Sequence, residues 1–121
     1  MSDILSYKEL QEGMLYYYPI YCRSKLRGIK KFGKGWVEGE LEVGYALNEM
    51  EGSFKEPVEE FMFYVAALIL MAGRESKYTY DAIAEVINKF IADHGLINLL
   101  AQLSEADAKR VRSDLELLEL I

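Results

Sequence analysis

Cysteine and histidine are nearly absent, each occurring once in 121 residues as Cys22 and His94. A single cysteine closes no intrachain disulfide and forms no cysteine cluster around a metal, a usage that fits the reducing cytoplasm. Arg23 and Lys25 follow it, and bases beside a thiol are one route to a reactive cysteine, yet a lone cysteine is ordinarily a small buried hydrophobe. A single histidine has no second imidazole to share a metal. Phe90, Ile91, Ala92 and Asp93 precede it, so the Glu-x-x-His pair of carboxylate metal bundles is missing. No Gly-x-Ser-x-Gly elbow accompanies it. Nearest to a phosphate loop is Gly33-Lys34-Gly35-Trp36, which satisfies neither glycine-rich pattern. Long hydrophobic runs are missing too. The longest, positions 61–72, has twelve residues against the roughly twenty that a membrane-spanning helix needs. The first residues lack the basic start and apolar run of a secretory signal. These gaps together predict a cytoplasmic chain that is not an enzyme, with no catalytic residue, no cofactor and no metal.

What is present builds a core. Hydrophobic residues make up 51% of the chain, and a chain of this size removes roughly two-thirds of its unfolded surface from water. Neither repeats nor Pro- or Ser-rich linkers interrupt it, which predicts one helical domain over 1–121.

Apolar spacing predicts an all-α bundle of five to six helices. Ser6 is placed to cap a first helix carrying Leu10, Met14 and Tyr17 or Tyr18, which Pro19 interrupts. The segment 20–32 continues it as a second or kinked helix loosened by Gly28, Gly33 and Gly35. In the segment 36–47, Val37, Leu41, Val43, Tyr45 and Leu47 alternate with Glu38, Glu40, Glu42, Gly44 and Ala46, as in a strand. A lone strand has no partner in an otherwise helical chain, so helix and extended chain both stay open there. Pro57 opens the central helix, with Glu59 and Glu60 in its first turn and Gly73 as its stop. The run is apolar all round and should lie in the middle of the bundle. Thr79 is placed to cap the next helix, whose stripe is Ala82, Ile83, Val86, Ile87, Phe90 and Ile91, with His94 and Gly95 at its end. A short helix over 96–103 follows. Ser104 and Asp107 then open a last helix with Ala108, Val111, Leu115 and Leu118 inward.

Charge is the feature that points to function. The net charge of −6 conceals two opposed blocks. Arg23, Lys25, Arg27, Lys30, Lys31 and Lys34 form one without an acid among them. Glu38, Glu40, Glu42, Glu49, Glu51, Glu56, Glu59 and Glu60 form the other, opposed only by Lys55. Crowded like charges work against folding, whereas they steer a basic partner and accelerate encounter. A solvated face and a partner-binding face are the two readings of the acidic block. On a strand, Glu38, Glu40 and Glu42 would point one way about 7 Å apart, on the scale of phosphate spacing. Tyr16, Tyr17, Tyr18 and Tyr21 cover more than one helical face, and with Trp36 they suit a contact surface.

The segment 39–51, Gly-Glu-Leu-Glu-Val-Gly-Tyr-Ala-Leu-Asn-Glu-Met-Glu, is followed by Glu56-Pro-Val-Glu-Glu-Phe-Met-Phe and by the Ala72-Gly73 stop. This pattern, extending in outline over 36–120, resembles the small helical immunity proteins of bacterial polymorphic toxin and contact-dependent growth inhibition systems. The resemblance implies a mostly helical cytosolic protein that binds one cognate toxin domain, often a nuclease, and blocks it. The expected contact residues are Trp36, Glu38, Glu40, Glu42, Tyr45, Glu49, Glu51 and Glu56. The alternative is a small helical regulator associated with nucleic acid through the basic segment 23–34, a partner that the overall acidity disfavours.

Overall fold

A computed structural model of the chain describes residues 5–13, 30, 56–72 and 77–121. The protein is an all-α small domain, and no strand occurs among the described residues. The segment 36–47, left open between helix and extended chain, lies outside them, as do Cys22 and the tyrosines 16–18 and 21. We label the helix over 7–13 α1, followed by α2 (Pro57–Met71), α3 (Lys77–His94), α4 (Leu96–Ala101) and α5 (Glu105–Leu117).

Helix α2 is the core of the bundle, as its sequence predicts. Pro57 occupies the first turn, where its missing N–H costs nothing. Val58, Phe61, Met62, Phe63, Tyr64, Val65, Ala66, Ala67, Leu68 and Met71 are all buried, so every side of the cylinder is covered. Fully burying one such large side chain contributes about 1.5–3 kcal/mol. The helix stops where Ala72 leaves helical geometry (φ −58°, ψ 125°), its N–H still donating to the Leu68 carbonyl. Gly73, the expected stop, is the next residue and lies outside the described ones.

Helix α3 packs along α2, and α5 closes against it from another side. Ile83, Ala84 and Ile87 are buried, with Ala82, Val86, Phe90 and Ile91 half-buried beside them, so the expected stripe forms and widens by Ala84. The Phe90 ring meets two α2 rings one turn apart, Phe61 at 6.2 Å and Tyr64 at 6.1 Å between centroids. One expectation fails here. The helix begins at Lys77, so Thr79 lies inside its first turn and is not the cap. Threonine is tolerated inside a helix at a cost well under about 1 kcal/mol, so its capping preference alone does not fix where the helix starts.

Gly95 joins two helices by itself. Its N–H donates to Ile91 at 2.8 Å, ending α3, while its carbonyl accepts from Leu99 at 3.0 Å, starting α4. Its φ of +82° is a conformation that side chains resist, which is why glycine stands here. The short helix ends at Ala101 rather than at 103, with Leu99 and Leu100 buried and Ile97 80% exposed.

Ser104 caps α5 as expected, its hydroxyl accepting from the Asp107 N–H at 3.2 Å. Val111, Leu115 and Leu118 are buried and Ala108 half-buried. At the far end the Leu120 N–H donates back to Leu115 at 2.9 Å and the Glu119 N–H to Glu116 at 3.0 Å, a Schellman closure. That closure needs a left-handed residue, and Glu119 supplies it at φ +61° without being glycine. The Tyr80 hydroxyl of α3 donates to the Leu118 carbonyl at 3.2 Å and pins this turn to the bundle.

Candidate functional site

Of the eight expected contact residues, Trp36, Glu38, Glu40, Glu42, Tyr45, Glu49 and Glu51 lie outside the described residues. Glu56 is described, and it is exposed immediately before Pro57 at the N-terminal end of α2. It stands at the end of the helix where backbone N–H groups converge and where the macrodipole favours an acid.

Glu59, three residues on, overturns part of the acidic-face reading. It is 3% exposed, so it belongs neither to a solvated face nor to a contact surface. Its Oε1 accepts the Glu56 N–H at 3.2 Å, and the Glu59 N–H in turn donates to the Glu56 carbonyl at 3.0 Å. Its Oε2 accepts the Leu5 N–H at 3.3 Å. A carboxylate leaves water only where donors replace its hydration, and a helix start beside an incoming chain segment supplies them. Counting charges along the sequence places Glu59 with its neighbours. Helical geometry buries it between the Glu56 N–H and the N-terminal segment instead.

The same segment is held by two more carboxylates. The Tyr7 N–H donates to Asp107 Oδ2 at 3.2 Å, and the Gln11 amide donates to Asp114 Oδ2 at 3.3 Å. The Tyr7 hydroxyl makes a short hydrogen bond to the same Asp114 oxygen. Tyr7 is fully buried and Leu10 nearly so, which makes α1 part of the core. Burial first, then the hydrogen bond and negative charge of Asp114, raise the Tyr7 phenol well above its ordinary range. Helix α1 is positioned for this by its own capping box. Ser6 Oγ accepts the Glu9 N–H at 3.1 Å, and Glu9 Oε1 accepts the Ser6 N–H at 3.3 Å.

Sequence reasoning expected Ser6 but missed Tyr7, Asp107 and Asp114 as a group. Asp107, expected to help open the last helix, also reaches across to α1 with its carboxylate. The available signal was Asp114, a polar residue flanking the apolar stripe between Val111 and Leu118.

His94 closes α3, exposed, with its ring stacked on Phe90 at 5.9 Å and 22°. Its carbonyl accepts from the Asn98 amide at 3.1 Å, so the helix end is satisfied by a neighbour as well as by the turn at Gly95. Among the described residues, no three His, Cys, Asp or Glu side chains are grouped to hold a metal ion, and no helix is long and apolar enough to cross a membrane. Lys30, the one described member of the basic block, is helical and exposed.

The chain matches no family model, no curated protein and no solved structure. Among the described residues, two carboxylates of the α5 segment and one of α2 face inward to hold α1, while Glu56 faces water.

Proposed function

We propose that this chain is an immunity protein: a non-enzymatic inhibitor that binds a cognate, cationic bacterial toxin domain, such as a nuclease, and blocks it stoichiometrically. The observation that carries the reading is the acidic block between positions 38 and 60, where Lys55 alone opposes eight glutamates. Burial of Glu59 removes one of them from any contact, and the exposure of Glu56 is compatible with an epitope over 38–56. A nuclease surrounds its nucleic-acid site with basic groups, and a dense row of carboxylates occupies such a site by direct charge complementarity. The resemblance to helical immunity proteins carried by 39–51, 56–63 and the Ala72-Gly73 stop supports the same partner class.

The test is to find whether a neighbouring gene encodes a toxin domain, to co-express that domain with this chain, and to follow stopped-flow association of the purified pair. Under this reading the cells survive, and the association rate falls steeply as ionic strength rises from low to about 0.15 M, where the screening length shortens to about 8 Å. Changing Glu38, Glu40 and Glu42 together to lysine slows association at least tenfold. Glu59→Gln weakens the fold and leaves the association rate unchanged, because that side chain does not face the partner. Salt-independent association, or unchanged kinetics in the triple variant, would refute the acidic epitope. Failure to protect would refute the function. A fluorescence-anisotropy titration with RNA and DNA checks the other reading, in which the basic segment around Lys30 binds nucleic acid; salt-dependent binding at micromolar protein would favour it.

A further inference from the structure

We draw no further inference here: the strongest candidate, the shallow groove that Val86, Lys89, Phe90, Asp93 and His94 line along the C-terminal half of α3, is an unpartnered and partly apolar face, and nothing in the structure shows what covers it.

Discussion

Removing one oxygen atom tests how α1 is held. In Tyr7→Phe the ring stays in its fully buried place and only the hydroxyl that donates to Asp114 is lost. A hydrogen bond to a charged acceptor contributes about 1.5–3 kcal/mol net. Asp114 is half-buried and keeps the Gln11 amide at 3.3 Å, so water and that neighbour offset part of the loss. We expect about 2 kcal/mol of destabilisation. For a chain of 121 residues, an unfolding entropy of about 2.1 cal/mol/K per residue converts this to a fall of about 8 °C in Tm. Urea and thermal unfolding followed by circular dichroism measure it. Asp114→Ala costs a comparable amount, since it strands the buried hydroxyl. The double variant then loses less than the sum, with about 1–2 kcal/mol of coupling.

The Tyr7 phenol adds a pH signature. Its folded-state pKa is raised by burial and by Asp114, while the unfolded chain ionises near about 10. Below that value both states keep the proton and Tyr7 adds no pH dependence. Above it the unfolded state releases a proton that the folded state retains, so stability falls with rising pH. The slope from this one group approaches about 1.4 kcal/mol per pH unit. Tyr7→Phe removes that component from the alkaline limb. A variant that melts within about 2 °C of the parent, with additive double-variant energies and an unchanged alkaline slope, would show that the hydroxyl bond to Asp114 contributes nothing to holding α1.

Three further changes have defined outcomes. Glu119→Gly relieves a left-handed conformation that costs about 1–2 kcal/mol in other residues, and after the extra chain entropy of glycine it stabilises by about 0.5–1 kcal/mol; a lower Tm would contradict the Schellman closure. Gly95→Ala meets no steric obstacle beyond ordinary contact with Asn98 at 3.6 Å, so its cost is the backbone conformation at φ +82° and ψ 132°, outside the left-handed helical well, about 1–3 kcal/mol in urea melts. Ser104→Ala leaves the Asp107 N–H without its acceptor and lowers stability by about 1 kcal/mol, a fall of about 4 °C in a thermal melt.

Much of the bundle was legible because local patterns and tertiary demands agree. Residues that are apolar on all sides leave α2 no stable position but the middle, and Pro57 marks its start within a residue. Ser6 and Ser104 announce helix starts through a hydrogen bond completed within three residues. Thr79 shows where that logic ends: a capping residue is only a local preference, and α3 begins two residues before it, at Lys77. Tyr7 was illegible for another reason. Nothing in α1 says which carboxylate its hydroxyl will meet, because Asp114 is 107 positions away.

By itself, the sequence determined the class of the fold, its central helix, the caps at Ser6 and Ser104, the break at Gly95, and the opposition of a basic and an acidic block. All of these depend on neighbours within a few turns of chain, where spacing and side-chain chemistry suffice. Only the tertiary structure decided which acids face water and which face the core. The charge count treats Glu56 and Glu59 alike, yet one is exposed and the other is buried against the Leu5 N–H. Whether a carboxylate is surface or structure depends on donors brought in from distant chain, and a linear pattern of charges carries no record of them.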